Sequence, residues 1–157
     1  MFMKTIYILS GVPGCGKSTW AKEFSKNHPN TKIIASDDIR YEVGGAYQYF
    51  KEEAKIWSIF FSRANEISKK EHDVNVILDS TCLTNLKRRD YLKKINGYDH
   101  KVLVFFNVSP DVCRVRNKMH VIGKVVLDEP LNNMIKSFET PDKMTLNLFD
   151  EYIEIKA

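Results

Sequence analysis

The segment GVPGCGKST, residues 11–19, brings three glycines, a lysine and two hydroxyls into nine residues. Gly11, Gly16, Lys17 and Ser18 fit the spacing G-x-x-x-x-G-K-[ST]. Glycine lets a backbone wrap closely around an anion and take positive φ. Successive N–H groups then point inward as a nest, and a helix starting near Gly16 adds its own unpaired N–H groups and dipole. Lys17 is expected to reach the β- and γ-phosphates of a nucleoside triphosphate, and Ser18 to ligate Mg²⁺. Gly11, Pro13, Gly14, Cys15, Gly16, Lys17, Ser18 and Thr19 are the candidate contacts to that donor, ATP. Cys15 reads as a small filler, although a thiolate there would be electrostatically favoured.

A triphosphate held this way can drive motion, act as a switch or donate a phosphoryl group. Three further stretches bear on that choice. ASDDIR, residues 35–40, follows an apolar run and places Asp37 and Asp38 at its end. A carboxylate beside a hydroxyl acceptor can take its proton during transfer, whereas a phosphate acceptor needs cations instead. Asp37 is the candidate base and Arg40 could pin an anionic group of the acceptor. Asp38 serves equally well as a helix cap. ILDST, residues 77–81, offers Asp79 to organise Mg²⁺ through water, with Ser80 and Thr81 as hydroxyls toward the same crevice. A turn or cap is the competing reading. Basic residues from Arg116 to Lys124 are placed to close over the nucleotide as a lid over about 116–127. Arg116 is the leading cation, with Arg114, Lys118 and Lys124 behind it.

The elements that must position these residues alternate. Residues 5–9, 32–36, 74–79 and 101–108 read as strands, and 151–155 as an edge strand. Helices are expected from Lys17 to about His28, from Tyr47 to Lys70 and from Asn85 to Ile95, the last capped by Thr84. A short helical turn is expected over 38–43. Ser109-Pro110-Asp111 starts another helix, with Val112, Val115 and Met119 inward. Asp128 could cap the next, which ends before Pro141. Phe50, Ala54, Trp57, Phe61, Ala64 and Ile67 recur at helical steps and read as one buried face. The order implies a parallel sheet of four to five strands with helices on both faces and ligands at the strands' carboxyl ends.

Composition sets outer bounds. The 157 residues fit one domain, and 43% hydrophobic with 28% charged residues is an ordinary globular balance. No apolar run suits a membrane span and no signal peptide is seen, so a cytoplasmic location is the expectation. Three cysteines with no ligand spacing argue against a disulfide framework or zinc. Net charge of +4 permits anionic substrates without requiring nucleic acid. The basic clusters at 87–89 and 114–118 read as solvated helix faces.

GVPGCGKSTWAKEF, SDDIR, LDSTCLTNLKRR, RVRN and FETP together resemble the kinase domain of the phage polynucleotide kinase family, from residue 5 to about 141. The resemblance implies a P-loop NTPase fold and transfer of the ATP γ-phosphate to a 5′-hydroxyl of DNA or RNA. It implies Asp37 as general base, Arg40 as the acceptor-phosphate contact, Lys17 and Ser18 as phosphate and metal contacts, and Thr81 as an acceptor contact. The motif leaves its acid open between Asp79 and Ser80. The phosphatase signature DxDGT of the best-known phage enzyme is absent, and the lid has no second arginine after Arg116. His120 falls near where the family places one. A nucleic-acid 5′-hydroxyl end is therefore the expected substrate, ATP and Mg²⁺ the expected cofactors, and a single kinase domain over 1–157 the expected organisation, with no membrane and no obligate protein partner. A kinase of a nucleoside, sugar or antibiotic hydroxyl, or a nucleotide-binding module without transfer, are the other readings.

Overall fold

Alternation along the strands decides which helix meets which side of the sheet. A computed structural model describes residues 2–157. Five strands, β1 (Lys4–Ser10), β2 (Thr31–Ala35), β3 (Val74–Asp79), β4 (His100–Asn107) and β5 (Glu151–Lys156), form one sheet in the order β2-β3-β1-β4-β5. Every pairing is parallel. Seven helices connect them: α1 (Lys17–Asn27), α2 (Ser36–Gly44), α3 (Glu53–Lys70), α4 (Asn85–Lys94), α5 (Pro110–Lys118), α6 (Asp128–Ser137) and α7 (Lys143–Leu146). The five-stranded parallel sheet flanked by helices is the α/β arrangement of a P-loop NTPase, as the sequence predicts.

Successive strand residues face opposite sides. Ile6, Ile8, Val74, Val76, Leu78 and Leu103 join α3 and α4 in one core. Leu9, Ile77, Val102, Val104 and Phe106 join α1 and α5 in the other. Near-continuous apolar strands such as VLVFF result from burial on both faces. The chain leaves β1 for β2 on one side and leaves β3 for β4 on the other. The order therefore reverses between β1 and β3, and a crevice opens there beyond the carboxyl ends.

Several expected boundaries move. The helical turn expected at 38–43 is a full helix from Ser36, so β2 ends at Ala35. The helix expected from Tyr47 begins at Glu53, and Phe50 is exposed. Its buried residues are Ile56, Phe60, Phe61, Ala64 and Ser68, so Phe61 and Ala64 of the predicted stripe are buried, Trp57 and Ile67 pack half-buried against the core, and Ala54 is exposed. Trp57 and Phe61 also meet Tyr91 on α4, with ring centroids 6.0 and 4.9 Å away. On α5 the inward residues are Cys113 and Asn117, while Val115 and Met119 are exposed. The reason is the phosphate-binding loop: a Cβ on Gly14 would overlap the Cys113 carbonyl oxygen, so backbone packs on backbone there. Ser109 precedes α5, but its side chain makes no capping bond. Helix α7 has no counterpart in the sequence reading. Thr84 does cap α4, accepting from the Lys87 N–H at 3.2 Å.

The predicted solvated face at 87–89 is overturned at Arg88, which has no exposed surface. Its guanidinium donates to Ser10 Oγ at 3.0 and 3.2 Å, Asn85 Oδ1 at 2.8 Å, Leu83 O at 3.2 Å and Glu139 O at 2.5 Å. The ring of Phe105 lies 5.5 Å from its central carbon. Burial with every guanidinium nitrogen bonded is the condition under which a buried cation is tolerated. Burial lowers the pKa of this guanidinium, opposed by the surrounding acidic groups. Arg88→Ala strands several buried acceptors and opens a cavity. It should cost about 3 kcal/mol or more, seen as a Tm lower by roughly 6–12 °C in a thermal melt.

Candidate nucleotide and phosphoryl-transfer site

The loop after β1 adopts the expected cradle. Gly14 and Gly16 take φ of 85° and 99°, the left-handed region that glycine enters without strain. A Cβ on Gly11 would overlap Cys15 Sγ and crowd Phe106. Helix α1 starts at Lys17 with no side-chain cap and no acid in its first turn, so its N–H groups and dipole face the cradle uncompensated. Lys17 Nζ folds back onto the carbonyls of Gly11 (2.8 Å) and Val12 (3.1 Å). Those bonds hold the ammonium at the loop, where phosphate oxygens would replace them. Pro13 is half-buried and Thr19 is exposed on the first turn of α1. Cys15 is buried, 2% exposed, with Sγ 3.7 Å from Lys17 Nζ.

The acid ambiguity at residues 79 and 80 is decided by strand parity. Asp79 shares the face of Ile77, toward α1. Ser18 Oγ donates to Asp79 Oδ2 at 3.0 Å. Burial pushes the Asp79 carboxyl up, and the charge of Lys17 and the bond from Ser18 pull it back. Ser80 shares the face of Leu78, toward α4, where it is 4% exposed with Oγ 2.8 Å from Tyr91 Oη. The expectation that Ser80 offers its hydroxyl to the crevice is therefore corrected: the hydroxyl points into the core and is already paired. Thr81 is half-buried, and its carbonyl accepts the Gly11 N–H at 2.9 Å, which ties the end of β3 to the start of the cradle.

A hydroxyl and a recessed carboxylate beside the cradle suit Mg²⁺, which keeps waters and takes one or two protein oxygens plus phosphate oxygens. Ser18 and Asp79 would hold it. Among the described residues no group of three or more His, Cys, Asp or Glu is gathered for a metal, and His120 is exposed.

Asp37 and Asp38 occupy the first turn of α2, close to the positive end of its dipole. Ala35 pairs with Asp79 in the sheet, so both acids stand at the same edge as the Ser18–Asp79 pair. Asp37 is 57% exposed in its side chain, and Arg40 Nη1 donates to its Oδ1 at 3.1 Å. Arg40 is not open as expected. It is 8% exposed, bonded to Glu53 at 2.8 and 3.2 Å, and flanked by the rings of Phe50 and Trp57 at 5.0 and 5.5 Å. Burial alone would lower its pKa, but the bonds and charges of Glu53 and Asp37 hold it above its ordinary value. Sequence reasoning missed Glu53, because it stands 13 residues from Arg40 and inside the helix expected from Tyr47.

The stretch expected as a lid over about 116–127 is the last turn of α5 and a loop over 119–127, fastened at both sides. Asn117, 1% exposed, exchanges two bonds with the backbone of Val126 at 2.7 and 3.0 Å. Gln48 donates to Gly123 O and Val125 O at 3.3 and 2.6 Å. Lys124 sits over the Tyr47 ring at 4.5 Å, and Arg114 is bonded to Asp111 and Asn132. Arg116 differs. It is exposed, has no acidic partner among the described residues, and its Nη1 is 3.5 Å from where a Cβ on Gly16 would stand.

A sequence profile described as an AAA domain, AAA_33, matches residues 6–141. The chain belongs to the AAA_33 family. This AAA_33 chain is 28% identical over 142 residues to the L-seryl-tRNA(Sec) kinase of Methanococcus maripaludis, covering 87% of this chain and 53% of that protein. It is 31% identical over 142 residues to human NEDD4-binding protein 2, covering 85% of this chain and 8% of that one. Among solved structures, one in the Pnkp1/Rnl/Hen1 RNA repair complex superposes with a TM-score of 0.77 at 21% identity, over 96% of this chain and 47% of that one. That likeness shows the fold. The AAA_33 chain thus spans about half the length of the kinase relative and of the repair-complex chain. Among its described residues no helix is long and apolar enough to cross a membrane. The whole is a P-loop kinase-like domain.

Lys17→Ala should weaken ATP binding at least tenfold by calorimetry, since the cradle loses the ammonium held at its own carbonyls. Cys15→Ser should keep transfer within about tenfold, a barrier change of under about 1.4 kcal/mol. Burial pushes Cys82 up to about 12 and Cys113 up to about 11. All three cysteines are buried, so at pH 8 thiol reagents should label them only after denaturant is added.

Proposed function

We propose that the chain transfers the γ-phosphate of ATP to a 5′-hydroxyl of a polynucleotide. The observation that carries this reading is the placement of an exposed carboxylate, Asp37, at the same sheet edge as the cradle and the Ser18–Asp79 pair. A phosphate acceptor would be repelled by two aspartates in one helical turn. A hydroxyl acceptor needs a base there.

In the reaction, residues 11–19 hold the β- and γ-phosphates through backbone N–H groups and Lys17. Asp37 takes the proton of the 5′-hydroxyl as its oxygen bonds to the γ-phosphorus. The bond from that phosphorus to the β–γ bridging oxygen breaks, and ADP leaves. Lys17 and Arg116 face the charge that spreads over the transferring group. Ser18 and Asp79 would hold Mg²⁺, which would supply positive charge to the phosphate oxygens. Arg40 fixes the Asp37 carboxylate, while Thr81 faces the acceptor from the end of β3. Similarity to the L-seryl-tRNA(Sec) kinase supports an acceptor carried on nucleic acid, while the fold itself is shared with a gluconokinase and a sugar kinase.

Labelled ATP incubated with 5′-hydroxyl DNA, 5′-hydroxyl RNA, nucleosides and common sugars tests the reading. Label should pass to the 5′-hydroxyl oligonucleotides; transfer to sugars alone, or to none, overturns it. Asp37→Asn should preserve ATP binding and lower kcat by about two orders of magnitude or more. Turnover near that of the unaltered protein would remove Asp37 from the base role.

A further inference from the structure

Helices α3 and α4 run side by side down one face of the sheet and enclose a groove of about 950 Å³. At their carboxyl ends they are tied together. Asn65 donates to Lys94 O at 3.0 Å and accepts the Asn96 N–H at 2.8 Å, and Ser68 donates to Asn96 O at 2.6 Å. Toward their amino ends the groove reaches Ala54 on α3 and Thr81 at the transfer edge. Its floor is aromatic: Trp57, Phe61 and Tyr91 line it. Trp57 also touches Arg40, so the floor is continuous with the residues that fix Asp37.

Three features of the groove specify its occupant. Its volume lies at the top of the range for drug-sized ligands, roughly 300–1,000 Å³, which exceeds the need of a single sugar or nucleoside. Its length along α3 from Ala54 to Lys69 is about 22 Å at 1.5 Å per residue. At ~3.4 Å per stacked nucleotide, and about twice that when unstacked, it accommodates roughly three to six nucleotides. Its charge is biased positive: Lys69, Lys87 and Lys94 face Glu66 and Asp90. Lys94 is consumed by Asp90 at 2.9 Å, which leaves Lys87 at the open end and Lys69 at the far end. Aromatic surface between separated lysines is how proteins hold single strands without reading sequence.

We propose that this groove seats the acceptor strand on the 3′ side of the reacting 5′-hydroxyl, as single-stranded nucleotides crossing from Thr81 toward Lys69. The inference rests on the polynucleotide reading above and adds where the strand runs and which residues give the enzyme a preference for length. Lys87 and Lys69 contact backbone phosphates, and Trp57 meets a base. Neither lysine touches the reacting atoms.

The test measures KM for 5′-hydroxyl oligonucleotides of one, two, four, eight and twelve nucleotides. KM should fall at least tenfold between the mononucleotide and roughly the hexanucleotide length and then level off. Lys69→Glu combined with Lys87→Glu should raise KM for the eight-mer at least tenfold and flatten the length dependence. It should also lower the salt slope of binding by about 1.4, from ~0.7 per single-strand phosphate contact. Glu66→Lys should do the opposite and lower KM for the eight-mer, a gain that misfolding cannot imitate. In a Trp20→Phe background, the eight-mer should quench the fluorescence of Trp57, and the double variant should abolish that quenching. Transfer to oligonucleotides with a KM independent of length, or an unaltered KM in the double variant, overturns the groove and leaves the polynucleotide reading standing. Absence of transfer to every 5′-hydroxyl oligonucleotide overturns the reading itself. Quenching by the eight-mer that depends on Lys69 and Lys87 would then still support the groove as a strand site, and its absence would overturn both.

Discussion

Beneath the phosphate cradle lies a guanidinium with no exposed surface, and the site is assembled around it. Arg88 donates to the last side chain of β1, to the carbonyls of Leu83 and Glu139, and to Asn85 on its own helix. Ser10, in turn, donates to Cys82 O at 2.7 Å. The residue before the cradle, the turn after β3 and the segment after α6 are thus held by one planar group. Leu83 and Glu139 share one backbone bond, from the Glu139 N–H to Leu83 O at 2.9 Å, and Arg88 ties that pair to Ser10 at the end of β1. Without Arg88 the Glu139 carbonyl would lose its donor, and buried polar groups must be paired. An arginine suits the position because five donors in a fixed fork reach several acceptors at once.

Around that anchor, two ordinary rules bring donor and acceptor halves together. The strand order reverses between β1 and β3, so their carboxyl ends border one crevice. The two-residue period of β3 then sends Asp79 to the α1 side and Ser80 to the α4 side. One shift in register would exchange them, placing a hydroxyl against Ser18 and a carboxylate in the aromatic core beside Tyr91. Burying that charge without a partner would be costly. The apolar residues Val76 and Leu78, which must face α3 and α4, therefore fix the position of Asp79 beside Ser18.

The basic residues illustrate what is legible in a sequence and what is not. Arg40, Arg88 and Arg116 each stand in a short charged run, and composition treats them alike. In the fold Arg40 is neutralised by Glu53 and Asp37, Arg88 is sealed inside the core, and Arg116 stands open beside Gly16. Glu53 is 13 residues from Arg40 and Glu139 is 51 from Arg88. No local pattern encodes such partners. The same holds for α3, where periodicity located a helix but not the partner of its aromatic residues, because Phe61 and Trp57 meet Tyr91 on α4.

The sequence by itself determined the cradle, the alternation of strands and helices, and the acids at the strand ends. Those features are local: glycine conformational freedom, hydrophobic period and capping chemistry act within a few residues. Only the tertiary structure decided that Asp79 rather than Ser80 meets Ser18, that Arg40 is held while Arg116 is open, and that a groove descends from Thr81 between α3 and α4. Each of these depends on which distant side chain occupies the facing position, and that is set by packing across the sheet rather than by spacing along the chain.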